Sequence, residues 1–165
     1  MKRIFDFFLS LIGLIISSPV LLPVIFLVWI QDWHSPFYIA PRVGKAEKPF
    51  KMIKLRSMVI NADKSGVDST SSNDKRITAV GRFIRSYKLD ELSQLWNVLI
   101  GDMSLVGPRP NLFNQDELIS FREKLNVYSV RPGITGLAQI NEIDMSTPEL
   151  LANTDAKMIN TLDLV

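Results

Sequence analysis

FFLSLIGLIISSPVLLPVIFLVWI, residues 7–30, runs for 24 positions without a charged side chain. A spanning helix needs about 20 such residues, so the default expectation is a transmembrane segment. Two features oppose it. Pro19 and Pro23 interrupt the run, and each lacks the N–H that an unbroken helix would use. Divided at Ser18-Pro19, the two halves would reach only ~18–20 Å each, short of a ~30 Å hydrocarbon core. Basic residues also flank both ends, with Lys2 and Arg3 before the run and Lys45, Lys48, Lys51, Lys54 and Arg56 after it. Lysine and arginine near membrane ends favour the cytoplasmic side, so flanks of one sign suit a segment that enters and leaves by the same face. Ser17 and Ser18 can bond back to preceding carbonyls and help the chain bend. Trp29, Trp33 and His34 then fall at the headgroup layer, as anchors rather than ligands. A kinked spanning helix stays open, because neighbours in a membrane can satisfy freed backbone groups. A signal peptide fits poorly, since the apolar core is long and no small-residue cleavage site follows.

Outside this segment the composition narrows the chemistry. The chain has 165 residues, a formal net charge of +2, no cysteine and one histidine. That length suits one domain with a modest core. The charge gives no reason to invoke nucleic acid. Disulfides, thiolate metal sites and histidine-rich metal sites are excluded, which leaves a hard cation on carboxylates and phosphates, such as magnesium. Residues 35–59 read as short extended pieces around a turn at Gly44-Lys45, with one packing side and one charged side. Their lysines could equally rest on anionic lipid. Residues 61–75 are polar and aperiodic, which predicts a mobile loop, and a helix is expected over about 77–87 carrying Arg82 and Arg85.

The stretch SYKLDELSQLWN, residues 86–97, places two carboxylates, Asp90 and Glu91, at an apparent helix entrance. Leu92, Leu95, Trp96 and Leu99 follow at helical spacing and predict a buried stripe. Taken alone, the acidic pair would simply cap the helix and complement its dipole. Beyond it, GDMSLVGPRP (101–110) brackets Arg109 between Pro108 and Pro110. A stiff backbone there holds one guanidinium at little entropic cost, as phosphate recognition would require, although an ordinary exposed loop arginine reads the same way. A helix is expected over 115–125. RPGITGLAQIN (131–141) predicts a compact loop with Gly136 close to other backbone, and Thr147-Pro148 a last helix start.

Taken together, KRIFD (2–6), Ser18-Pro19, PFY and RVG (36–44), FKMIKLRSM (50–58), DKRIT (74–78), GRFIR (81–85), LDELSQLWNVLIGDMSLVGPRP (89–110) and RPGITG (131–136) resemble the bacterial sugar transferase family. These are the small monotopic phosphoglycosyl transferases. The resemblance implies an α+β, mainly helical fold. A re-entrant N-terminal membrane helix with a break at Ser18-Pro19 and an interfacial anchor would occupy 1–34. A compact cytoplasmic helical domain with a small β element would occupy 35–165. It further implies an enzyme on the cytoplasmic face of the bacterial inner membrane. Such an enzyme moves a phosphosugar from a UDP-sugar to polyprenol (undecaprenyl) phosphate, releases UMP and initiates glycoconjugate assembly. Mapped onto this chain, Asp90 would be the nucleophile that forms a phosphosugar–aspartate intermediate and would share Mg²⁺ with the diphosphate. Glu91 would handle a proton or orient the reactants, and Arg85, Arg109, Lys54 and Arg56 would contact substrate phosphate. Membrane lipid is the third expected partner. Some positions depart from the family pattern. Ser93 stands where the family commonly has Pro, IAP (39–41) lacks a Gln, Leu137 replaces a Trp, and EID (142–144) replaces Gly-Arg-Asn. No sugar specificity is therefore carried over, and the oligomeric state stays open. Two other readings compete: a non-catalytic membrane-anchored scaffold, and a transferase using another activated phosphate donor.

Overall fold

The structure is a computed structural model and describes residues 1–62 and 74–162. Most of the loop expected at 61–75, and the end of the apolar INTLDLV tail, lie outside the described residues.

Helix α1, Lys2–Ile30, takes up the whole apolar run. The chain does not leave the helical state at Ser18-Pro19, where a break was expected. Pro19 removes the N–H that would reach the Ile15 carbonyl, and the Ser18 hydroxyl donates to that same carbonyl at 2.7 Å. Ser17 Oγ likewise donates to Gly13 O at 2.7 Å. The serines thus repair the backbone locally, as an apolar environment demands.

One stripe of α1 is buried, comprising Asp6, Ser10, Leu21, Val24 and Val28. Leu21, Val24 and Val28 form a core cluster with Leu55 and Ile84 from beyond residue 34. Contacts continue toward the N-terminus. Gly13 lies against Leu95, close enough that an added Cβ would stand 3.1 Å from its side chain. Arg3 donates to the carbonyls of Val98 and Leu99, and Lys2 to Ser104 Oγ and the Val106 carbonyl. Asp6 accepts from Ser104 Oγ and the Leu105 N–H. Arg56 forks onto Asp32 just past the helix. Both ends of α1 are therefore tied to the rest of the chain. The opposite side exposes Phe5, Phe8, Ile12, Ile16, Leu22 and Phe26.

Strands β1 (Phe37–Val43) and β2 (Pro49–Leu55) pair antiparallel as the expected hairpin. Helices α2 (Ala79–Ser86), α3 (Leu89–Leu92) and α4 (Gln94–Ile100) follow. Strand β3 (Ser104–Val106) pairs parallel with β4 (Gly133–Thr135), which brings the two glycine–proline segments together. Gly133 meets Gly107 so closely that an added Cβ would lie 2.1 Å from the Gly107 nitrogen. Gly136 similarly approaches the Gly107 carbonyl, as the compact loop predicted. Helices α5 (Asp116–Lys124), α6 (Leu137–Ile140) and α7 (Pro148–Leu162) close the fold around Leu118, Ala138, Leu151 and Ala152.

The stripe expected on 92–99 is corrected. Ser93, Gln94, Asn97 and Val98 are the buried residues, while Trp96 is 50% exposed. The reason is the edge of β2. Asn97 accepts from the Ile53 N–H at 3.0 Å and donates to Lys51 O at 2.8 Å. Ser93 Oγ reaches Ile53 O at 3.2 Å. Polar side chains complete the strand's hydrogen bonds, so the polar side of the helix faces inward and its apolar side meets α1 or the exterior.

Candidate active site

The hairpin builds one wall of the site. Its register puts Tyr38, Ala40 and Arg42 of β1 on the same face as Phe50, Met52 and Lys54 of β2, since side chains alternate along a strand. At its far end the chain turns through Lys88, held at φ 52°, and starts α3 with Asp90 and Glu91 in its first turn. The cap position is taken by Lys88, which makes no side-chain cap hydrogen bond, and both carboxylates sit in the first turn, where their charge complements the helix dipole.

The two neighbours face different spaces. Asp90 lines a cavity of about 770 Å³, together with Arg85, Arg56, Phe37 and Tyr38. Glu91 lines one of about 240 Å³, together with Gln94, Arg109, Gln115, Ile134 and Met145. Arg42 and Lys54 line both. Glu91 is held in place: Arg109 Nη2 donates to its Oε1 at 3.2 Å and Lys54 Nζ stands 3.9 Å away. Among the described residues no side chain donates to the Asp90 carboxylate. Burial pushes its pKa up, Lys54 opposes the shift, and the Glu91 charge adds to it. Burial pushes the Lys54 ammonium down; the Arg109 charge reinforces this and the two carboxylates oppose it. Arg42 is also pushed down by burial. The result is one free, partly desolvated carboxylate among cations.

The PRP loop that carries Arg109 is fixed by more than its prolines. Arg122, buried in α5, donates to Arg109 O at 2.9 Å and to Asn111 Oδ1 at 2.8 Å. Its other face binds Asp155 of α7 at 2.6 Å. Asn111 O accepts from the Val43 N–H at 3.1 Å, and Pro108 O from the Gly133 N–H at 2.8 Å. Every neighbouring element therefore holds this loop.

Of the residues expected from sequence, Asp90, Glu91, Lys54, Arg85 and Arg109 lie on these two cavities. Arg56 lines the larger one, but its Nη atoms are committed to Asp32, with Nη2 at 2.6 Å, and to Val28 O, which fastens β2 to the end of α1. That guanidinium holds the Asp32 carboxyl down to about 2. His34, expected as an anchor, also lines the larger cavity. Sequence reasoning missed Arg42, Gln94 and Gln115. Strand alternation across RVG and FKMIKL would have put Arg42 on the same face as Lys54, whereas nothing local marks the glutamines.

Among the described residues no three acidic or imidazole side chains converge. With Glu91 already held by Arg109 and Lys54, Asp90 is the carboxylate that would hold a divalent ion if one binds with substrate. One carboxylate plus substrate phosphate oxygens is a donor set that suits magnesium.

Comparison with known proteins gives this site its context. A Bacillus subtilis (strain 168) protein, named provisionally as an undecaprenyl-phosphate N-acetylgalactosaminyl 1-phosphate transferase, is 44% identical over 129 residues, covering 75% of this chain and 72% of the relative. The UDP-glucose:undecaprenyl-phosphate glucose-1-phosphate transferase of Klebsiella pneumoniae is 42% identical over 85% of this chain and 30% of its own. The undecaprenyl-phosphate galactose phosphotransferase of Salmonella typhimurium is 42% identical over 89% of this chain and 34% of its own. The chain thus spans about a third of the two longer relatives. The sequence model of the bacterial sugar transferases matches residues 1–165, from the first basic residues through both cavity walls to the last helix, and the chain belongs to the bacterial sugar transferase family.

Proposed function

We propose that the protein transfers a phosphosugar from a UDP-sugar to a polyprenol phosphate, of the undecaprenyl kind named for its relatives, and so starts a membrane-linked glycan. The observation that carries this is the division of labour between adjacent carboxylates. Asp90 has no side-chain donor and faces a basic cavity, while Glu91 is tied to Arg109 and Lys54.

An Asp90 oxygen attacks the sugar-bearing phosphorus, the bond from that phosphorus to the bridging oxygen breaks, and UMP leaves with the electron pair. An acyl phosphate then joins sugar phosphate to Asp90. A polyprenol phosphate oxygen attacks the same phosphorus, the aspartyl bond breaks, and the carboxylate is restored with a lipid-linked diphosphate sugar as product. Splitting the transfer lets the soluble product leave before the lipid reacts. An anionic nucleophile approaching a diphosphate meets charge repulsion, and Lys54, Arg42, Arg85 and Arg109 offset it. Held by Asp90 and the diphosphate, magnesium would supply further charge neutralisation. Glu91 positions Arg109 and Lys54 for those contacts.

The site belongs at the cytoplasmic membrane face, with both ends of α1 on that side. Support comes from its two ends, since Lys2, Arg3 and Asp6 at one and Val28 and Asp32 at the other all bind the body of the protein. A helix standing across the bilayer would drag those polar elements into hydrocarbon. Exposed Phe83, Tyr87, Trp96 and Ile100 on α2 to α4 extend the apolar surface beside α1.

The test is to incubate the purified protein in lipid nanodiscs with UDP-sugars and Mg²⁺, measure UMP, and quench for intact mass and peptide mapping. The expected result is UMP release and a sugar-phosphate adduct on Asp90. Asp90→Asn is expected to fold normally with no adduct and no transfer. An active protein with its adduct elsewhere, or with none, would sink the mechanism.

A further inference from the structure

The smaller cavity holds a group for which the chemistry above has no use. Gln94, at the start of α4, is only 4% exposed, lines this cavity, and has no hydrogen-bond partner for its side-chain amide among the described residues. The residue is enclosed, yet its amide opens into the cavity without a protein partner, which leaves its donor and acceptor available to a ligand there.

We propose that this cavity is the sugar subsite of the donor and that the Gln94 amide reads the sugar's polar substituents. The inference rests on the transferase reading and deepens it. In an in-line displacement the entering and leaving oxygens lie on one axis through phosphorus, and the remaining substituents lie across it. Asp90 and the departing nucleotide must therefore share one continuous space, and the cavity on Asp90 is the larger one. The sugar oxygen lies across that axis, so the ring must leave sideways. The side opening is where Arg42 and Lys54 line both cavities.

Size and lining agree with this assignment. Sites for drug-sized ligands run about 300–1,000 Å³. The larger cavity, at about 770 Å³, falls in that range, and the smaller, at about 240 Å³, suits a single ring. Phe37, Tyr38 and His34 give the larger cavity flat rings for a base to stack on. The smaller has no aromatic side chain; it offers polar Gln94, Gln115 and Arg109 against an apolar wall of Ile134 and Met145. Hydroxyl groups on one side and ring carbons on the other match that lining. Met145 directly follows the 142–144 departure from the family pattern, so the wall is built partly from residues next to this chain's own variation.

Gln94→Met keeps the side chain's length and helix preference while removing the amide. Full-length protein carrying Asp90→Asn, which is expected to fold without cleaving the donor, is titrated calorimetrically in nanodiscs with and without Gln94→Met, using UMP and whichever of UDP-glucose, UDP-galactose or UDP-N-acetylgalactosamine gives UMP release with wild type. The expected result is UMP affinity within about twofold of the Asp90→Asn parent and UDP-sugar affinity down about tenfold, the loss of one buried hydrogen bond. Equal weakening of both ligands would assign Gln94 to the nucleotide and overturn the proposal. Unchanged affinity for both would overturn it as well. If Gln94→Met does not melt cooperatively, the uncharged Gln94→Leu is measured against the same two ligands and the same outcomes. A wild type that neither binds nor cleaves any UDP-sugar would instead remove the transferase reading, which separates the two failures.

Discussion

Asp90 and Glu91 are chemically near-identical neighbours, and their surroundings give them different work. Glu91 is engaged by Arg109 and Lys54, while Asp90 is half-buried and, among the described residues, without a side-chain donor. In the proposed mechanism Asp90 attacks as the carboxylate, and burial raises its pKa, so activity is expected to fall as pH drops through a value above the ordinary carboxylate range. Lys54 is shifted the opposite way and must stay charged, so activity is expected to fall again as pH rises through a value below the ordinary lysine range. A kcat/KM profile for the UDP-sugar checks both limbs. In Lys54→Met the alkaline limb should disappear and the overall rate should fall. Arg122 makes the complementary case. Arg122→Met leaves Asp155 buried without its cation and should cost about 3–5 kcal/mol in unfolding measurements. The double change with Asp155→Leu should restore much of that stability but not the activity, because Arg109 O still lacks its donor and Asn111 Oδ1 keeps only the Tyr128 hydroxyl.

At the level of elements, the instructive one is α4, a helix that packs by its polar side. Asn97 supplies a donor and an acceptor to β2 in place of another strand, and Ser93 adds a hydroxyl. Asn97→Leu keeps the branched shape, though bulkier, and leaves the Ile53 N–H and Lys51 C=O unpaired. The expected loss is about 2–6 kcal/mol, at about 1–3 kcal/mol for each orphaned group, read as a lowered melting midpoint. Ser93 also explains how this chain manages without the family's usual proline: its hydroxyl, shared between Asp90 O at 2.9 Å and Ile53 O, ties α3 to the strand. In α1, a hydroxyl again replaces the backbone bond that proline removes.

For the molecule as a whole, α1 decides where the chemistry takes place. Its contacts with the body run from Lys2 to Val28, and the β2 residue Arg56 locks its far end through Asp32. Cysteine labels at residues 2 and 60 are therefore expected to react with an impermeant maleimide from the same side of sealed vesicles. Labelling from opposite sides would mean that α1 crosses the bilayer. On the proposed placement the larger cavity would sit beside the membrane boundary, since His34 and Ser35, close in sequence to the exposed Trp29 and Trp33, line it.

Much of this was legible along the chain, because it depends on short-range chemistry. A charge-free run with paired prolines, a hairpin turn at Gly44, a proline-opened last helix and an acidic pair before a helix are all local patterns. So are the family motifs that contain Asp90, Glu91 and Arg109. Which side of α4 faces inward was not legible, because hydrophobic periodicity assumes an apolar partner and here the partner is a strand edge needing hydrogen bonds. The same limit hid Arg42 and Gln94 as site residues and the commitment of Arg56 to Asp32. Side-chain type and spacing determined which chemical groups this protein possesses; only the packing of α1, the hairpin and the α3–α4 pair decided which were left free, because a charge or amide is available to substrate only where no neighbour has claimed it.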